Sequence, residues 1–298
     1  MIDVLISAVV PIALVALVGA AIGRGFDLDL KTLSRVIIYA LLPALIFTGI
    51  SGTSLELSSA AAIVISFWVT TALLYFVAWW LGRALKLSPE KGKSLIATTI
   101  YANVGNMGLP FVLFSLGEAG LERAIVYLVA SALTISALFS VALKGDGVMS
   151  GIRFTLRLPT FWAALAALLL GQAAIALPLS VTRGLELLGS AAVPVALLTL
   201  GIQLSRTEFA FGRAELFGAS LRLLLSPLIA FSVGWVLQLR GLDLQVLVIQ
   251  SAMPVAVNSL IWVTELGGDR LRVAKTVVLS TLLSFVTLPV VLWLIGGV

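Results

Sequence analysis

No charged side chain interrupts ten stretches of the chain, at about 4–23, 36–50, 58–82, 94–116 and 124–143, then 159–179, 187–205, 223–239, 244–264 and 276–296. A hydrocarbon layer about 30 Å thick takes roughly 20 apolar residues of helix, so the pattern predicts ten membrane-spanning helices. The runs are too long and too continuous for outer-membrane strands, which alternate at every second residue. Composition agrees: 60% of the 298 residues are hydrophobic and 11% charged, against about 25% charged in a soluble domain. Too few polar side chains remain to clothe a soluble core. The second and eighth stretches are short, and snorkelling Arg35 and Arg222 are expected to extend them.

The loops carry the orientation. All but three of the 19 Lys and Arg follow an odd-numbered span; Arg123, Arg183 and Arg240 follow even-numbered ones. The positive-inside rule therefore places both termini outside the cytoplasm, in a multi-pass protein of the cell inner membrane. The net charge of +5 belongs to these loops and does not point to nucleic acid. The first span, without a basic residue before it, is expected to be a membrane helix and not a cleaved signal. With no Cys and no His, disulfides, thiolate or imidazole catalysis and Cys/His metal centres are excluded. The spans also lack Asp and Glu, and no base stands beside their Ser and Thr, so no enzyme is expected.

Two halves of the chain match at an offset of 150 to 151 residues. Leu42-Pro43-Ala44-Leu45 recurs as Val193-Pro194-Val195-Ala196, and Thr48 as Thr199. Ser115-Leu116-Gly117 parallels Glu265-Leu266-Gly267, and Leu121 and Ala124 parallel Leu271 and Ala274. Five spans per half is an odd number, so the second copy enters from the opposite face. The fold expected is all-α: ten helices as two inverted five-helix repeats, 1–150 and 151–298, within one membrane domain. Such pairs give transporters two nearly equivalent states with a site at the midplane.

The fourth helix of each half is interrupted. The first reads Tyr101-Ala-Asn103-Val-Gly105-Asn106-Met-Gly108-Leu-Pro110, and the second Gln250-Ser251-Ala-Met-Pro254-Val-Ala-Val-Asn258. Proline removes a helix donor and clashes with the preceding turn; glycine weakens the helix and admits a neighbouring backbone. Asn and Gln side chains satisfy freed backbone groups or coordinate a substrate. Two broken helices meeting at the midplane would present N-terminal N–H groups to an anion without a basic side chain. The substrate-binding candidates are therefore Asn103, Gly105, Asn106, Gly108, Pro110, Gln250, Ser251, Pro254 and Asn258. Tyr101, Pro43, Thr48, Pro194, Thr199 and Gln203 are secondary candidates; for the two prolines with Thr48, Thr199 and Gln203 a helix kink is the favoured reading. Arg222 is read as interfacial, and Glu118 and Glu265 as solvated helix ends.

Asn103-Val-Gly-Asn-Met-Gly-Leu-Pro110 resembles the fourth-helix motif of the auxin efflux carrier family. Ala252-Met-Pro-Val-Ala-Val-Asn258, with Leu266-Gly-Gly-Asp269 and Leu279–Pro289, is similar to the C-terminal signature of its bacterial members. The resemblance covers essentially the whole chain. It implies the fold of the bile-acid sodium symporters, with crossing fourth and ninth helices, and elevator-like alternating access between a scaffold and a transport part, each drawn from both repeats. It further implies export of an organic anion such as malate, malonate or an auxin-like acid. Plant members carry a proline where this chain has Ala102 and an amide where it has Val255, which points away from auxin itself.

The expected partners are a small organic anion and the lipid bilayer, with a homodimer through the scaffold helices and no nucleic acid. No cofactor and no metal site are expected. Two alternatives stay open: a sodium-coupled symporter using Gln250, Asn103 and Asn106 as neutral ligands, and a sensor that keeps the transporter fold without flux.

Overall fold

The computed structural model describes residues 9–51, 55–144, 153, 155–173, 175–206 and 212–296. Along them run α1 (Val10–Gly25), α2 (Leu30–Ser51), α3 (Leu57–Ala84), α4 (Pro89–Ile100), α5 (Leu109–Lys144), α6 (Pro159–Gln172), α7 (Leu179–Ser205), α8 (Arg213–Val236), α9 (Gly241–Ser251), α10 (Ser259–Glu265) and α11 (Arg270–Ile295). No strand occurs among the described residues.

Five of these helices, α2, α3, α7, α8 and α11, are long and apolar enough to cross a bilayer; α1 and α6 are shorter and apolar. The start of the first expected span, the boundary at residue 150 and both chain ends lie outside the described residues. The fourth and ninth expected spans are each divided, into α4 and α5 and into α9 and α10. Beyond the first break the fourth and fifth spans run on as α5, bent where Gly117 takes φ 69°.

Three prolines share one local arrangement. The π-helical turns Ile37–Leu41, Val104–Gly108 and Leu221–Leu225 each end two residues before a proline, Pro43, Pro110 and Pro227 respectively. A proline ring collides with the carbonyl four residues back and offers no donor; widening the preceding turn relieves both problems and leaves a π-bulge.

Helix ends repeat as well. After α3, Leu87 N–H donates to the Gly82 carbonyl (2.9 Å) and Lys86 N–H to Arg83 (3.0 Å); after α8, Leu239 N–H donates to Gly234 (2.8 Å) and Gln238 N–H to Trp235 (3.1 Å). Both are Schellman closures, with Lys86 and Gln238 in the left-handed region at φ 50° and 61°. Gly117 and Gly267, matched in the sequence, both have φ 69°, a conformation that favours glycine.

The chain forms two compact units, and each takes helices from before and after residue 150. One contains α3, α4, α8, α9, α10 and α11; the other contains α1, α2, α5, α6 and α7. The chain passes from the first to the second between Val104 and Gly105, inside the first break. In the first unit α11 packs against α4, α8, α9 and α10, while α3 packs against α4, α8 and α9. In the second unit α7 lies along α1 and α2, and α6 against α2. There Gly201 faces the Ala16 carbonyl and Gly19 the Leu198 backbone so closely that neither leaves room for a methyl group. Small residues of this kind let membrane helices approach backbone to backbone.

Candidate functional site

In the first unit the two interrupted helices cross through their extended breaks. α4 ends at Ile100, and Tyr101 to Asn103 continue without helical structure; α9 ends at Ser251 and is followed by an irregular stretch to Asn258. Ala102 and Val255 form an antiparallel bridge. Asn103 N–H donates to the Pro254 carbonyl and Ala256 N–H to the Tyr101 carbonyl, both at 2.8 Å. The remaining donor, Val255 N–H, reaches Ser280 Oγ of α11 at 3.1 Å, and the same hydroxyl donates to the Val277 carbonyl at 3.0 Å. The bonds of Asn103, Ala256 and Val255 N–H each satisfy a backbone group that the breaks expose, as an apolar surrounding demands.

The crossing gathers Tyr101, Asn103, Gln250, Ser251 and Pro254. Asn103 Nδ2 and both carboxamide atoms of Gln250 are buried with no hydrogen-bond partner among the described residues. A buried polar group left in that state costs about 1–3 kcal/mol. Tyr101 is buried and stacks on Trp262 of α10, with ring centroids 6.1 Å apart and planes at 4°. Asn258 is exposed at the start of α10 and makes no capping bond. With seven residues, α10 has a much smaller dipole than an unbroken span, so the amide side chains are the stronger polar feature of this crossing.

The other sequence candidates lie in the second unit. Gly105, Asn106 and Gly108 fall in the π-helical turn Val104–Gly108 or its continuation, and Pro110 occupies the first turn of α5. There it follows the π-helical turn that accommodates its ring and missing N–H. Thr48 Oγ1 donates to the carbonyl of Ala44 (3.0 Å) and Thr199 Oγ1 to that of Val195 (2.8 Å), each one turn back. These hydroxyls back-bond within the helices that carry Pro43 and Pro194. Gln203 lies in the last turn of α7. Thr48 also borders a cavity of about 290 Å³ lined by Phe47, Ser51, Leu170, Thr182 and Glu186, among others. Glu118 and Glu265 are exposed, as solvated ends would be.

Arg222 corrects the sequence reading. It is not a snorkelling interfacial residue: its side chain is 1% exposed, the largest among the fully buried ones. It sits within α8, which begins nine residues earlier at Arg213 and not at Leu223. Its Nη1 donates to the Thr99 carbonyl at 2.6 Å, and its Nη2 to Ser226 Oγ at 2.5 Å and to the Ser251 carbonyl. Thr99 is in the last turn of α4 and Ser251 is the last residue of α9. One guanidinium thus joins the C-terminal ends of both half-helices. Ser220 and Ser226, the small polar residues around Arg222 in an otherwise apolar run, were the signal in the sequence.

Comparison with known proteins gives the family. The family model described as membrane transport protein matches residues 4–149 and 148–292. The chain belongs to that family, as the motifs of the fourth and ninth spans led us to expect, and it is an integral membrane transport protein, not an enzyme. It is 32% identical over 275 residues to an "Uncharacterized transporter" of Methanothermobacter thermautotrophicus, covering 89% of this chain and 88% of that one. A second "Uncharacterized transporter", from Methanocaldococcus jannaschii, is 28% identical over 88% of both chains. A "Putative malonate transporter" of Rhizobium meliloti is 26% identical over 88% of this chain and 86% of its own.

Proposed function

We propose that this membrane transport protein is a secondary carrier that exports a small organic anion, a carboxylate of the malonate or malate type, across the cell inner membrane. The single observation that carries the reading is the set of buried amide atoms beside the Ala102–Val255 crossing, Asn103 Nδ2 and the Gln250 carboxamide, that have no partner among the described residues. Amide N–H groups bind a carboxylate without adding a fixed charge, and the two breaks, 101–108 and 252–258, contain no acidic residue that would repel one. The name of the Rhizobium meliloti relative points to the same substrate class.

The reading extends to ten membrane helices in two inverted five-helix repeats. The equal φ of Gly117 and Gly267 and the twin Schellman closures after α3 and α8 support it. In an elevator cycle, the unit that holds the crossing would be the moving part, and the unit built on α1 and α7 the scaffold through which a homodimer would form. The bias of Lys and Arg toward loops after odd-numbered spans supports termini outside the cytoplasm.

The test is carboxylate flux in proteoliposomes of the full chain. Asn103→Ala and Gln250→Ala are expected to lower flux at least tenfold, the effect of about 1.4 kcal/mol in binding. Unchanged flux in both variants would remove the crossing as the site. Saturable binding of the anion without any flux would favour the sensor reading.

A further inference from the structure

The last four carbonyls of a helix have no partner within it and carry roughly half a negative charge. At the crossing two such ends are satisfied in parallel ways. In α4 the Ala97 carbonyl accepts from Tyr101 N–H (3.1 Å), and in α9 the Val248 carbonyl accepts from Ala252 N–H (2.9 Å). The carbonyls of Thr99 and Ser251 instead turn to Arg222, which also donates to the Ser226 hydroxyl. The acceptors of these three bonds are oxygen atoms, two carbonyls and one hydroxyl, a ligand type that hard metal cations also take.

We infer that Arg222 is a positioning residue that serves as the resident cation of the crossing. Its guanidinium fills the place between the two half-helix ends where a free monovalent cation would otherwise be drawn, so that this chain needs no metal ion there to hold Asn103 and Gln250 in place. The inference rests on reading the crossing as the carrier's site, and it bears on that site's coupling: substrate passage proceeds without a sodium ion bound between α4 and α9. An arginine suits the task better than a lysine because its fixed fork reaches two carbonyls on different helices at once.

The test uses the full chain in lipid nanodiscs and reads its thermal midpoint in equal concentrations of choline, sodium or guanidinium chloride. About 20 mM suffices, far below the molar range in which guanidinium denatures. Wild-type protein is expected to have the same midpoint in all three salts. Arg222→Ala should fall by about 5–10 °C in choline and recover at least half of the loss in guanidinium, which refills the vacated place. A purely structural arginine would show the loss without cation-specific recovery, and that result overturns the inference. So does an Arg222→Ala midpoint equal to wild type in choline, or a sodium requirement for wild-type flux. If Arg222→Ala does not fold, Arg222→Lys is compared with Arg222→Met: higher stability of the lysine variant supports a resident cation, and equal stability overturns it. The proposed transport reading fails in a different way, through absence of wild-type flux, while the salt series reports on Arg222 independently.

Discussion

Ala102 and Val255, from the two interrupted helices, face one another as an antiparallel bridge pair, and the bonds that flank them join Asn103 to Pro254 and Ala256 to Tyr101. Backbone thus carries the crossing, and side chains only reinforce it. Ser280 is the reinforcing group that the sequence does not announce: it accepts from Val255 N–H at 3.1 Å. Ser280→Ala strands a buried donor, and we expect a stability loss of about 1–3 kcal/mol, measured by thermal or denaturant unfolding in detergent. Stability equal to wild type would show that Val255 N–H finds another acceptor.

The amides at the crossing should trade stability for function. Gln250 is fully buried and neither of its carboxamide atoms has a partner among the described residues. Gln250→Met replaces that group by an apolar side chain of similar length, which is expected to stabilise the protein by about 1 kcal/mol while lowering flux. A variant that loses stability and keeps flux would mean that the carboxamide has a structural role.

Backbone contact between α1 and α7 holds the second unit together, and Gly201 lies against the Ala16 carbonyl. Gly201→Ala is expected to cost about 1–3 kcal/mol, as overpacking typically does. Gly171→Ala, where nothing lies within 4 Å of the added carbon, is the control and should change stability by less than about 0.5 kcal/mol. Equal effects of the two substitutions would contradict the close approach.

Orientation can be read directly because the chain has no cysteine of its own. Lys91 and Arg240 are both exposed and, on the charge bias, lie on opposite sides of the membrane. Single cysteines at these positions should react with a membrane-impermeant maleimide from opposite faces, Arg240→Cys from outside the cell and Lys91→Cys only after lysis. Labelling of both from one face would break the proposed topology.

The breaks were legible because proline and glycine act locally. Pro110, Pro254, Gly105 and Gly108 speak through the backbone whatever surrounds them, and both interruptions lie where these residues predict. The long apolar helices were legible for the same reason, since chain length and charge spacing suffice. What escaped was set by tertiary partners. Arg222 borders an apolar run, and in hydropathy alone such a residue reads as a snorkelling anchor; its acceptors on α4 and α9 are 123 and 29 residues away in sequence. Arg213 and Glu215 break the apolar pattern at the start of α8, so the helix seemed to begin later than it does. Ser280 and the Tyr101–Trp262 stack were hidden likewise, because one serine or tryptophan in an apolar helix carries no periodic signal. Asn258 was legible as an amide near the break, but the turn into α10 leaves it exposed.

The central claim, that the buried amides of the crossing receive a small carboxylate, is tested most directly by ligand-induced stabilisation of the purified full chain. Malonate, malate and an indole carboxylate are added at increasing concentration, and the thermal midpoint is followed for wild type and for Asn103→Ala and Gln250→Met. A ligand at about 100 times its dissociation constant adds about 2.7 kcal/mol to the folded state. The account predicts that a dicarboxylate raises the wild-type midpoint in a saturable way and leaves both variants unmoved. An equal rise in the variants, or no rise in wild type with any carboxylate, would contradict it.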